Sequence, residues 1–301
     1  VDKRIAAFVG TSKNGTSFIV NNLSSILSNS GIKTAIIDLT KNRNAYYMFT
    51  DNKADLMQVA ANSLKSLQNG EPKGIEVNKN LTVFTGLPDD NTEAINPNQI
   101  IENVSSKYDV ILLDCDFDTN EEYYKLANEI YLVQSMDAFT IQPLTKLLSD
   151  LKNNNMLDES KLRIIINKHI KTSKLDTKMI IGGMSKYNEP SMTLQRDIFN
   201  PDNIKSVVVA FEEQNYVKYI EDIAMCHLSL NGYTKNLIQS LDELKNMVYP
   251  LIAGNNGGNT PNNYNNTETK KRKGFFGINK KEEAAFSNDM NNTLNKMRTN
   301  Y

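Results

Sequence analysis

Arg4 to Val9 (R-I-A-A-F-V) is a short apolar run that stops dead at Gly10, and helical periodicity begins again at Ser17 with Ile19, Val20, Leu23, Ile26 and Leu27. Between them lies G-T-S-K-N-G-T-S, Gly10 to Ser17. A buried strand, a glycine-bearing loop and a helix in that order fit the phosphate-binding pattern G-x-x-x-x-G-K-[ST], whose backbone N–H groups wrap phosphates while its lysine neutralises their oxygens. Gly10, Gly15 and Ser17 fall on register, but Thr16 stands where the lysine belongs. The frame of a nucleotide site is kept and one cation is lost. Taken alone, the string also reads as an ordinary turn between a strand and a helix.

Two further apolar runs narrow the choice. Ala35-Ile-Ile-Asp38 and Tyr108-Asp-Val-Ile-Leu-Leu-Asp114 both end on an acid. In parallel α/β sheets, ligands bind beyond the carboxyl ends of strands. Asp38 and Asp114 are therefore expected beside the loop, where Mg²⁺ and an attacking water would be held. Helix N-capping is the alternative reading for each.

The rest of the body alternates between the two periodicities. Helices are predicted at 54–68, 97–108, 216–225 and 231–248, and strands at 81–85, 130–133, 162–167 and 207–211. The fold class expected is α/β, a doubly wound and mostly parallel sheet flanked by helices. Residues 171–203, with Gly182, Gly183 and Pro190, are expected to form a flexible excursion.

The blocks I-A-A-F-V-G-T-S-K-N-G-T-S, N-N-L, G-I-K-T-A-I-I-D-L-T, Y-D-V-I-L-L-D-C-D, L-A-N-E-I-Y-L-V-Q-S-M-D-A-F-T-I-Q-P-L, I-I-I-N-K and V-V-V-A-F follow one another over residues 3–250. In this order they resemble the ParA/MinD superfamily of deviant P-loop ATPases, and within it the TadZ/CpaE-like pilus-assembly localisation proteins. The resemblance implies ATP and Mg²⁺ as cofactors. It implies a nucleotide site at Gly10, Thr11, Ser12, Lys13, Asn14, Gly15, Thr16, Ser17 and Phe18, with Ser17 and Asp114 around the metal. Asn167 would meet the adenine edge and Phe211 the base, with a strand-end turn and simple packing as their plainer roles. Asp38 and Lys13 are the catalytic candidates. The departures are as informative: the family's two loop lysines correspond to Thr11 and Thr16, and its second aspartate after the strand corresponds to Thr40. Losing a cation at a phosphoryl transition state typically costs several powers of ten in rate. Binding can survive through loop amides and the helix N-terminus. Slow or absent hydrolysis is expected, in a homodimer joined across the phosphate loops.

Charge divides the chain of 301 residues in two. Residues 254–301 carry 8 Lys and Arg against 4 Asp and Glu, or +4, and the remainder carries 26 against 31, or −5. The expected organisation is a nucleotide domain at 1–250, an Asn/Gly-rich linker at 251–269 and a basic aromatic segment at 270–301. Lys270, Lys271, Arg272, Lys273, Lys280 and Lys281 surround Phe275, Phe276 and Ile278. Such a segment suits an anionic membrane surface or a protein partner, and it also reads as a solvated charge run. Nucleic acid is a weaker match, since no recognition module accompanies it. Residues 282–298 place Phe286, Met290, Leu294 and Met297 at helical spacing. Two cysteines without metal spacing and no apolar run near ~18 residues fit a cytoplasmic protein, peripheral at the inner face of the membrane if the tail binds there.

Two functions follow. One is a nucleotide-dependent positioning or assembly factor serving protein components of a membrane-associated pilus, secretion or conjugation machine. The other is an active ParA/MinD-type ATPase of DNA partition or spatial regulation, with Lys13 standing in for the missing cations.

Overall fold

Strands whose side chains are apolar on both faces must be covered on both faces, and four of them form the centre of the sheet. They are β1 (Arg4–Val9), β2 (Thr34–Asp38), β5 (Val110–Cys115) and β6 (Glu129–Gln134). The computed structural model describes residues 3–88, 96–188 and 197–250. The other strands are β3 (Ile75–Asn78), β4 (Leu81–Phe84), β7 (Leu162–His169) and β8 (Lys205–Ala210). Their order is β3-β4-β2-β5-β1-β6-β7-β8, parallel throughout except for the antiparallel β3–β4 pair at one edge.

The strand alternation sorts residues into two cores. Ala7 and Val9 join Leu64, Ile100, Leu144 and Ile180 on one face. Ala6 and Phe8 join Ile19, Leu23, Leu241 and Leu244 on the other. These layers are built from α1 (Thr16–Asn29), α2 (Asn44–Thr50), α3 (Ala54–Gln68), α4 (Pro97–Ser105), α5 (Glu122–Leu126), α6 (Ile141–Asn153), α7 (Thr177–Met184), α8 (Glu213–Ala224) and α9 (Lys235–Val248). The doubly wound α/β architecture expected from the sequence is present.

Differences lie where patterns are short or interrupted. β3, α2 and α5 are too brief to show a period, whereas α6 was not anticipated although Ile141, Leu144, Leu148 and Leu151 recur in it at helical spacing. Residues 171–203 are not simply an excursion. Asp176 caps α7 through Met179 N–H, and Gly182 and Gly183 lie inside that helix. A Cβ on Gly183 would stand 3.5 Å from Ile141 Cδ1, an ordinary van der Waals contact, and one on Gly182 would meet nothing within 4 Å, so neither position demands glycine. Ile198 and Phe199 then return to the core. The tail elements expected at 251–301 lie outside the described residues.

Candidate nucleotide-binding site

The strand order reverses direction around β1, with β5 on one side and β6 on the other, which opens a crevice at the carboxyl ends of the strands. The Gly10–Ser17 loop occupies it. Gly10 is required because a Cβ there would lie 2.4 Å from the Val133 carbonyl of β6. Gly15 has φ +92° and comes so close to Asn167 that a Cβ would lie 2.4 Å from its Nδ2. Lys13 also takes positive φ, at 69°. Positive φ at both positions curls the backbone into a concavity of the kind that receives anions.

Two of the loop's polar side chains, Thr11 and Asn14, fasten it to its own chain. Thr11 Oγ1 donates to the Thr140 carbonyl at 2.7 Å. Asn14, buried, receives Ser135 Oγ on its Oδ1 at 2.9 Å and donates Nδ2 to Thr140 Oγ1 at 3.2 Å. Asn167 Nδ2 donates to the Asn14 carbonyl at 2.8 Å, and Lys168 Nζ to the Lys13 carbonyl at 2.7 Å. At the loop's end α1 begins without a side-chain cap and without an acid in its first turn, although α4, α7 and α9 are all capped. Its uncapped N–H groups and the dipole behind them favour a negative ligand.

Beneath the loop, Ser17 Oγ donates to Asp114 Oδ2 at 2.8 Å, while Asp114 Oδ1 is buried with no hydrogen-bond partner. Burial above all, and then the Asp38 and Asp116 charges, push the Asp114 carboxyl up to about 8, against which the Ser17 bond works. A buried carboxylate oxygen without a partner fits a cation. Among the described residues no group of three or more His, Cys, Asp and Glu could hold a metal by itself. That donor set suits Mg²⁺, which uses one or two carboxylates and takes its remaining ligands from water and phosphates.

Asp38 sits opposite Asp114 in the β2–β5 register, but its surroundings differ. One oxygen accepts from Thr40 N–H at 3.0 Å and Thr40 Oγ1 at 2.6 Å, the other from Ala45 N–H and Thr85 Oγ1 at 3.1 Å each. The buried Arg43 guanidinium donates to the Asp38 carbonyl. Asp38 thus shapes the turn into α2, and Thr40 and Lys41 line the cleft in front of it.

The cleft encloses about 720 Å³ between the loop, residues 40–48 and Asp114–Asp118. An apolar cavity of about 110 Å³ adjoins it, with Gly15, Phe18 and Tyr219 common to both. Asn167, Phe211 and Tyr216 line the smaller cavity, whose Phe211 and Tyr216 rings stand 6.0 Å apart. Phe211 lies just past β8 and is exposed, so it is not a packing residue of that strand. The structure therefore brings together Gly10–Phe18, Asp114, Asn167 and Phe211. Sequence reasoning missed Ser135, Thr140, Lys168, Tyr216 and Tyr219, which reach the site from distant segments. It also missed Lys41, whose N–H donates to Asp116 Oδ2 at 2.6 Å. Only the aromatic spacing of Tyr216 and Tyr219 offered a signal.

No family model matches the sequence, and no curated protein matches it. Solved structures do. A ParA family ATPase from Chlorobium tepidum TLS is similar at 17% identity and TM-score 0.57, over 80% of this chain and 97% of that one. MinD from Pyrococcus horikoshii OT3, complexed with Mg-ADP, is similar at 16% identity and TM-score 0.55, over 82% and 96%. A McdA variant from Cyanothece in complex with ATP is similar at 11% identity and TM-score 0.58, over 84% and 100%. The chain has the fold of the ParA- and MinD-type P-loop ATPases.

Proposed function

We propose that this chain binds ATP with Mg²⁺, hydrolyses it slowly or not at all, and uses the bound state to position or assemble a membrane-associated machine of the pilus, secretion or conjugation kind. The observation that carries the reading is the Ser17–Asp114 pair, with one buried carboxylate oxygen left without a partner below a loop that has Thr11 and Thr16 in place of lysines. Loop amides and the α1 N-terminus would take the phosphates. Ser17 and Asp114 would hold Mg²⁺, which supplies charge to the β and γ oxygens. The cavity with Phe211 and Tyr216 would receive the base, beside Asn167. The similar MinD and McdA structures, which contain Mg-ADP and ATP, support the choice of ligand.

Two copies would associate face to face over their loops. Thr11 already spends its hydroxyl on Thr140 of its own chain, so Lys13 is the loop cation placed to act there. Residues 1–250 would carry the nucleotide, 251–269 the tether and 270–301 the contact with a partner or an anionic membrane. Among the described residues no helix is long and apolar enough to cross a membrane.

The test is ATP titration beside a phosphate-release assay on the full chain. Micromolar or tighter binding without turnover supports the proposal, and no binding in the presence of Mg²⁺ ends it. The second reading, an active ATPase, is favoured by Lys13 on the cleft wall. It predicts turnover that Lys13→Ala and Asp114→Ala each abolish.

A further inference from the structure

α8 departs from the pattern of the other long helices: of its 12 residues only the polar Asn215 is buried. Tyr216, Val217, Ile220 and Ile223 are 48, 46, 46 and 41% exposed. Their spacing of i, i+1, i+4 and i+7 puts them on one face, and exposed Phe211 extends it at the Tyr216 end. A contiguous apolar strip of this kind marks an interaction surface. Its solvent edge is acidic. Glu213 and Glu221 are exposed, while the helix's one lysine, Lys218, is tied to Asp222 and lies 4.3 Å from the centre of the Tyr233 ring.

We propose that this strip is the seat of the chain's own basic aromatic segment. Phe275, Phe276 and Ile278 would lie on Val217 and Ile220, with the flanking lysines toward Glu213 and Glu221. Reach allows it. The starts of α8 and α9 are joined by the 3.0 Å hydrogen bond from Asn215 Nδ2 to Thr234 Oγ1. The end of α9 is therefore about 21 Å from the start of α8, at 1.5 Å per residue over 14 residues. About 26 residues separate Val248 from Phe275, enough chain to span that distance several times over at ~3.3 Å per residue. Attachment in the same chain favours this segment over a second copy in dilute solution. The seated segment would hide its own aromatic and basic surface. The inference goes beyond the nucleotide reading and holds or fails without it.

Trypsin tests it, because residues 270–281 offer six cleavage sites. In the full chain at micromolar concentration, Ile220→Asp is expected to speed cleavage there about tenfold, the loss of one anchor contact. The pair Phe275→Ser and Phe276→Ser should do the same, and the unfolding midpoint should stay unchanged because Ile220 is exposed. Wild type cut as fast as Ile220→Asp would overturn the proposal. So would protection that fades on dilution, which points to a second copy, or protection that arises only with phosphatidylglycerol vesicles, which points to a membrane seat.

Discussion

Asp38 and Asp114 stand side by side at the ends of neighbouring strands, each buried, and they do opposite things. Asp38 accepts four hydrogen bonds, all from its own chain, and its carboxylate is saturated. Asp114 accepts one, from Ser17, and keeps an oxygen in reserve. Burial raises the affinity of both for a proton. The contrast teaches that place on the sheet nominates a residue, while the donors around it decide whether it builds the wall or binds the ligand.

The largest expected effect tests the saturated member. Asp38→Ala strips partners from Thr40 N–H, Ala45 N–H and the Thr85 hydroxyl, and each buried polar group left unpaired costs about 1–3 kcal/mol. A loss of roughly 3 kcal/mol is expected, read as a lower urea midpoint. Asp114→Ala should leave stability near wild type or above it, since it removes a buried carboxyl with an oxygen that has no partner. Its effect should fall on Mg²⁺-dependent nucleotide affinity, weakened about 10- to 100-fold in titrations with and without Mg²⁺. If the two variants exchange phenotypes, the comparison is wrong.

Proton linkage sharpens the same contrast. Asp114 keeps its proton in the folded protein up to about pH 8, whereas an unfolded aspartate releases it near 3.8. Between those values the folded state binds the extra proton, so stability falls as pH rises toward 8 and levels off above it. The slope for one proton is about 1.4 kcal/mol per pH unit at most. Unfolding of the nucleotide-free protein from pH 5 to 9 should show the decline. Asp114→Asn should flatten it, as should saturating ATP with Mg²⁺, which replaces the proton with a cation. A flat wild-type profile would mean that Asp114 is ionised and already compensated.

Long, strongly patterned elements were legible in the sequence. α3 was read with its observed bounds, β2 (Thr34–Asp38) ends on the acid that closes its apolar run, and β5 (Val110–Cys115) runs one residue past Asp114. The phosphate loop was legible because two glycines carry backbone information that a side-chain scale ignores. What fastens the loop was not. Thr140 and Ser135 meet Asn14 across more than 120 residues, and no local pattern marks such a meeting. Asn167 could be nominated, but its bond to the Asn14 carbonyl depends on β7 lying two strands from β1. The paired glycines of α7 misled for a physical reason: glycine costs a helix only about 1 kcal/mol, and here the Asp176 cap and the burial of Ile180, Ile181 and Met184 outweigh it.

The smallest expected effect lies at the far end of the site, where no carboxylate takes part. Phe211 is 43% exposed and faces the cavity beside Tyr216, so a base placed there gains stacking on one side. Base–aromatic contacts are worth about 1–3 kcal/mol by alanine substitution, and an exposed ring belongs at the low end. Phe211→Ala should therefore weaken ATP about fivefold. Inorganic tripolyphosphate, which has no base, should bind wild type and variant alike, since its partners are loop amides, Ser17 and Asp114. Equal losses for both ligands would place Phe211 among the supports of the loop. A loss confined to ATP would divide the site into a phosphate half set by the backbone and a base half set by aromatic rings. The first half is the one that depends on the contrast between Asp38 and Asp114.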